Sequence, residues 1–341
     1  MGPQKASSNL SQENAEACPA RVYEWELQGF KAVVLENGFL RATVLPQLGG
    51  KLTSLVNIQT QREFLLQPPG KVYAQPTYGG AFDQYDTSGF DECFPTVSAC
   101  SYPDAPLADE LLPDHGELWS IPWQHRVVGD TIRIASGGRR LPYIFRKKLS
   151  LHGATLRLDY ELLSLSDLPI AYLYSAHPLL KVEQGATLVL PPEVNALLIE
   201  SSKDEELGAP GEYCSWPLAD MRGERVRLDV LQGPELKTAH KLFTSRIRSG
   251  SCGVHFPCTR EGLRYRFDPE AQPYIGLWLC QGGWPSSENG HFTVALEPCT
   301  GRTDSLAEAF SNGEHRTLQP HGVHRWWLEM EMLSDCDSLT V

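Results

Sequence analysis

What this 341-residue sequence lacks narrows its function before any motif is considered. No apolar run approaches the roughly 20 residues needed to cross a bilayer, so a membrane span is not expected. Cationic excess is missing as well. The formal net charge is −12, and a field of that sign repels nucleic acid and anionic membrane surfaces. The first 20 residues have no apolar core of a signal peptide and no Arg-rich amphipathic pattern, and Ala6 stands where myristoylation needs Ser or Thr. Being polar and aperiodic, residues 1–20 are expected to form a flexible arm on a cytoplasmic protein, where the Asn9-Leu10-Ser11 sequon escapes glycosylation.

Nine cysteines, an odd number, are scattered without any C-x-x-C pair, which argues against a disulfide framework and a zinc ribbon. There is no G-x-G-x-x-G after a strand, no G-x-x-x-x-G-K-[ST], no H-E-x-x-H and no G-x-S-x-G elbow. Dinucleotide, phosphoryl-transfer, zinc-protease and serine-hydrolase readings lose their support. A small neutral molecule is left as the expected partner, with no cofactor and no metal, and the chain is expected to act as a monomer or homodimer.

What is present is an ordinary globular composition, 41% hydrophobic and 21% charged. Period-2 runs such as Lys31 to Glu36, Thr155 to Leu163, Tyr274 to Leu279 and Phe292 to Leu296 predict strands. Turn signals such as Glu36-Asn37-Gly38 and His152-Gly153-Ala154 separate them at the spacing of antiparallel meanders. Short helices are expected only around Ala219 to Arg222 and Ser305 to Phe310. The balance predicts an all-β protein, a large antiparallel sandwich forming a single domain over residues 21–341. The basic run Arg139, Arg140, Arg146, Lys147, Lys148 reads as a solvated strand face.

Five constellations place ionisable or aromatic residues at strand ends beside Gly or Pro. In Gly89-Phe90-Asp91-Glu92-Cys93-Phe94-Pro95, strand alternation lets only one of the two carboxylates face a given cleft. In Asp114-His115-Gly116-Glu117-Leu118-Trp119, the glycine allows close approach of a ligand, and Trp119 offers an apolar wall. Asp114, His115 and Glu117 also admit reading as metal ligands, although the spacing matches no known site. In Tyr174-Ser175-Ala176-His177-Pro178, the proline holds His177 extended and is expected to end regular pairing. In Leu296-Glu297-Pro298, a carboxylate closes an apolar strand, where desolvation raises its pKa and makes it a competent base. In Gly276 to Pro285, Trp278 lies on the opposite face from Leu277 and Leu279 and can stack on a sugar ring, with Gln281 beside it.

Taken together these residues resemble the aldose 1-epimerase, or galactose mutarotase-like, family. The resemblance is carried by Leu45-Pro46-Gln47-Leu48-Gly49-Gly50-Lys51, the Asp91-Glu92 loop, Asp114-His115-Gly116-Glu117, His177-Pro178, Leu296-Glu297-Pro298 and Gln319-Pro320-His321-Gly322, in order from about Arg21 onward. It implies a β-supersandwich with an open sugar-binding face and a cofactor-independent isomerase that interconverts the anomers of a free sugar. Glu297 would take the proton of the anomeric hydroxyl and His177 would protonate the ring oxygen. His115, Asp91, Glu92, Glu117, Trp278, Gln281 and Lys51 would bind the sugar, Lys51 serving an acidic or phosphorylated one. A cationic His177 would need a carboxylate neighbour, for which Asp91, Glu92 and Glu117 are candidates. A hexose-phosphate epimerase and a non-catalytic carbohydrate-binding protein are the alternatives.

Overall fold

The computed structural model describes residues 19–108, 110–286, 288–336 and 339–341. The expected arm lies outside the described residues as far as residue 18.

Alternating sequences pair into two large antiparallel sheets. One has eleven strands in the order Arg21–Leu27, Phe30–Glu36, Leu40–Leu45, Lys51–Asn57, Phe90–Cys93, Ser175–Lys181, Phe292–Cys299, Tyr274–Gln281, Thr238–Thr244, Ala196–Ser202 and Tyr213–Ser215. The other has eight, in the order Thr187–Val189, Ser251–Phe256, Glu261–Phe267, Val323–Leu333, Thr155–Ser164, Tyr143–His152, Thr131–Gly137 and Gln124–Val128. Their inner faces share one hydrophobic cluster, to which Phe90, Ala176, Leu180, Leu242, Leu277 and Leu296 come from the first sheet and Phe145, Leu149, Leu158, Leu162, Leu263 and Leu328 from the second. In the central strands alternate residues enter this core. The residues between them are displayed on the other face.

Two local expectations are corrected. Leu218–Met221 is a strand that hairpins onto Glu224–Arg227. Its turn places Arg222 and Gly223 at φ of 55° and 84°, the left-handed pair of a tight two-residue hairpin, and Ala219 alone of the strand is buried. The other short segment is helical, Leu306–Asn312, where the Ser305 side chain accepts the Glu308 N–H and Gly313 closes the C-terminus. In the basic run, Lys147 points inward rather than to solvent. Its ammonium donates to Glu92 Oε1 at 2.9 Å and to the Gly50 carbonyl at 3.0 Å. An inward lysine is tolerated because a carboxylate meets it in the core.

Candidate active site

Strand register brings the ionisable residues together. The ladder between Ser175–Lys181 and Phe292–Cys299 pairs Ser175 with Cys299 and resumes at Leu179 with Ala295. Pro178 and Pro298 lie in the interval and have no N–H to give the ladder. The register is the same on both sides of the gap, which sets His177 directly opposite Glu297. Asp91 flanks His177 on one side, and Gly276 flanks Glu297 on the other. One residue pair along, Leu179, Ala295, Trp278, Lys241 and Ser201 form a second row across the same face. These rows floor a cavity of about 170 Å³ whose lining includes Phe82, His115, His177, Lys241, Trp278, Trp284, Glu297 and Asp304.

Glu297 is fully buried, and its two oxygens are in different circumstances. Oε2 accepts from Lys241 Nζ at 2.5 Å and from Ser175 Oγ at 3.1 Å. Among the described residues Oε1 has no hydrogen-bond partner, and it lies 3.9 Å from His177 Nε2. Desolvation raises the carboxyl above its ordinary pKa and the Lys241 charge acts against that rise. Lys241, 3.4 Å from Asp304 as well, is held firmly protonated by its two carboxylates despite burial. Gly276 makes room for this pair: a Cβ there would stand 3.1 Å from Glu297 Oε2 and 3.2 Å from the Phe243 ring.

His177 is also buried, its Nδ1 without a hydrogen-bond partner among the described residues. Desolvation, reinforced by the positive charges of His115, Lys241 and Lys51, pushes its pKa well below the usual imidazole value, so it is neutral at neutral pH. His115 is tied differently. Its Nδ1 lies 2.9 Å from Asp114 Oδ1, while Asp114 Oδ2 accepts the Phe82 N–H at 3.1 Å. The ring stacks on Phe82, centroids 3.9 Å apart, and stands edge-on to His177 at 5.1 Å.

No protein-family model matches the sequence, and no curated protein matches it by sequence. Solved structures do match in shape. A galactose mutarotase-like protein from Clostridium acetobutylicum superposes with a TM-score of 0.65 at 12% identity, covering 93% of this chain and 99% of its own. A galactose mutarotase related enzyme from Lactobacillus acidophilus gives 0.64 at 13% identity, covering 94% of this chain and 100% of its own. The fold is galactose mutarotase-like.

On this mutarotase-like sheet the other sequence-derived candidates separate by face. Asp91 shares the cavity row, but its Oδ2 is 3.0 Å from Lys51, and burial raises its pKa to about 6. Lys51 is neither a free phosphate ligand nor solvent-facing. It is buried and donates to the Asp86 and Ser88 carbonyls and to the Asp86 carboxylate, all within 3.0 Å. Glu92 faces the opposite way, into the core, where Tyr160, Tyr174 and Lys147 all donate to it, so it cannot bind a ligand in the cavity. Glu117 is likewise interior to the loops, accepting from Tyr78 and from the Arg139 and Arg140 N–H groups. Gln281 accepts the Gln232 and Gly233 N–H groups and takes no part in the lining. None of the three expected carboxylates therefore hydrogen-bonds His177. Asp114 and His115 bond each other and Glu117 is engaged elsewhere, and among the described residues no group of three His, Cys, Asp or Glu side chains is placed to hold a metal.

The glycine beside His115 has a different reason from the one expected. Gly116 sits at φ 73°, and a Cβ on it would lie 2.2 Å from the Phe94 carbonyl oxygen. The close approach is to the protein's own backbone. Trp119 backs the wall rather than lining it, edge-on to Phe82 and donating its indole N–H to the Asp114 carbonyl. Lys241, Asp304, Ser175, Phe82 and Trp284 were missed in the sequence. The one available signal was Lys241, a charge inside the apolar alternation Thr238–Thr244.

Proposed function

We propose that the protein is an aldose 1-epimerase that interconverts the anomers of a free sugar. The observation that carries this reading is Glu297: one carboxylate oxygen is pinned by Lys241 and Ser175, and the other, without a hydrogen-bond partner among the described residues, lies 3.9 Å from the His177 imidazole in a cavity that His115 also lines. An unpaired buried acceptor is costly unless a ligand donor completes it. In the proposed reaction Glu297 Oε1 takes the proton of the anomeric hydroxyl as the bond from C1 to the ring oxygen breaks. An imidazole gives the ring oxygen a proton. The aldehyde turns about its bond to C2, and the two transfers run in reverse to close the other anomer.

The charge of the lining favours an uncharged sugar over a phosphorylated or acidic one. Among the described residues of the lining Lys241 is the only Lys or Arg and already serves Glu297 and Asp304, while Asp114 adds a further carboxylate. Phosphate recognition calls for free Arg or Lys donors. Trp278 and Trp284, edge-on to each other at 6.1 Å, supply an apolar wall of the kind a pyranose face packs against.

The test is saturation-transfer NMR on unmodified, acidic and phosphorylated aldoses with the full chain. Accelerated anomer exchange of an unmodified sugar is expected, with a loss of about 100-fold or more in Glu297→Gln. Sugar binding without exchange in the parent protein would refute the catalytic reading and leave a binding protein.

A further inference from the structure

The face of the eleven-stranded sheet that carries the Glu297 cavity has a second groove, of about 560 Å³, over the four strands between Asp91 and the sheet edge. Its floor is a cross-strand row, Tyr23, Val34, Thr43 and Ser54, set by the pairing register. Val33, Leu35, Ala42 and Val44 alternate with that row and enter the core, so the row faces outward. Gln67, Lys71 and Tyr73 form the wall. Gln28 fastens it, its side-chain amide accepting the Tyr73 N–H at 2.9 Å and donating to the Lys71 carbonyl at 3.2 Å.

The charge of this groove is opposite to that of the cavity. Among the described residues its lining holds Lys71 and Arg41 but no Asp or Glu, in a chain of net charge −12. The Lys71 ammonium donates only to neutral oxygens, Gln67 Oε1 at 2.9 Å, Ser88 Oγ at 3.0 Å and Thr53 Oγ1 at 3.3 Å. The carboxylates whose charge reaches it serve other groups: Asp86 and Asp91 hold Lys51, and Glu63 accepts from Ser54 and from the Leu55 and Leu65 N–H groups. Partly buried Lys71 is therefore a cation drawn out of water with no anion in contact, a costly state, and burial lowers its pKa. Arg41 lies 3.6 Å from Glu36, a carboxylate that already accepts from Arg21 and Tyr23. Apolar surface stands beside these charges. Trp25 and Tyr23, two residues apart on the edge strand, are exposed, and the Tyr73 ring lies 4.6 Å from the Lys71 ammonium. Exposed aromatics grouped in a groove mark a surface on which a ring can pack.

From these cations and exposed rings in one groove we infer a second binding site, for a small organic anion built on a flat ring, with its carboxylate or phosphate at Lys71 and Arg41 and its ring on Trp25 and Tyr23. Lys71 would exchange its longest bond, to Thr53, for a charge-assisted one, which is shorter and stronger. An aromatic acid, a phosphorylated sugar and a mononucleotide share this chemistry. The groove has no lining residue in common with the cavity around Glu297, and the site stands whether or not the protein is an epimerase.

The test follows the Trp25 indole N–H by NMR, assigned by its loss in Trp25→Phe, while the full chain is titrated with matched probes. Benzoate, glucose 6-phosphate and AMP are each compared with an uncharged counterpart, benzyl alcohol, glucose and adenosine, and with inorganic phosphate. At least one ringed anion should shift Trp25 and bind about tenfold or more tighter than both its counterpart and inorganic phosphate, and the one that does so identifies the source. Lys71→Met should remove about tenfold or more of that preference, and Trp25→Ala should bring the ringed anion down to the level of inorganic phosphate. Binding should survive Glu297→Gln, which separates the groove from the cavity. The wild-type titrations decide without any variant: no Trp25 shift with any anion, equal affinity for charged and uncharged members of every pair, or inorganic phosphate binding as tightly as each ringed anion overturns the inference.

Discussion

Replacing Lys241 with methionine tests the electrostatic logic of the cavity at its centre. The substitution keeps most of the side-chain volume and removes the cation that bridges Glu297 and Asp304. Removing one partner of a buried pair typically costs about 3–5 kcal/mol, because the remaining charge is left bare. At about 1.4 kcal/mol per factor of ten, directing even 3 kcal/mol of that cost into the protonation of Glu297 moves its equilibrium about 100-fold toward the acid form. That carboxyl is already raised by burial, and Lys241 is the main influence opposing the rise. The variant should therefore keep Glu297 protonated to higher pH than the wild type does. Exchange should fall about 100-fold at pH 6–7 and recover as the pH is increased, whereas Lys241→Arg should retain most of it. Stability follows with a definite sign. A carboxyl raised in the folded state contributes stability at low pH that is lost as pH climbs through the folded value. The melting-temperature deficit of Lys241→Met should thus be small at pH 5 and larger at pH 8. A folded variant with an unshifted pH–rate profile would refute the reasoning.

Other substitutions separate the faces of the sheet. Glu92→Gln strands the buried Lys147 ammonium and should cost about 3–5 kcal/mol in urea unfolding while exchange per folded molecule stays near wild type. Gly276→Ala places a methyl 3.1 Å from Glu297 Oε2; displacement of the base should lower kcat at least about tenfold, against about 1–3 kcal/mol of overpacking seen by calorimetry. Trp278→Ala should raise the KM for sugar more than it lowers kcat, a split readable from initial rates. Buried His240, pushed down to about 4 by desolvation, and His177, also lowered, each favour the folded state above pH 6.5 and lose that contribution as pH falls. For His240 the loss reaches about 3 kcal/mol by pH 4, so His240→Gln should flatten the fall of the urea midpoint between pH 6.5 and 4.

Alternation along single strands carried a good part of this site in the sequence. Phe292–Cys299 and Tyr274–Gln281 can be divided into two faces by eye, and the division puts Glu297 and Trp278 on the same side of their shared ladder. The same rule limited the Asp91-Glu92 pair to one cleft residue but could not choose between them. That choice depends on whether Lys147 or Lys51 lies across each face, which is decided by strands far away in the chain. Lys241 was harder still, because a lysine in a strand ordinarily reaches solvent by its flexible stem, and only the facing Glu297 and Asp304 make burial tolerable. Ala219 to Arg222 misled through composition: the residues suit a helix, and the left-handed Arg222-Gly223 turn overrides them.

The strand order has a consequence for how activity emerges during folding. Asp91, His177 and Glu297 occupy adjacent strands of one sheet but belong to distant thirds of the chain. Local hairpins such as Arg21–Leu27 with Phe30–Glu36 can zip early, whereas these central ladders close only after long loops have lost their entropy. Catalytic competence should then be among the last properties a refolding chain acquires, trailing the far-ultraviolet signal of its β structure.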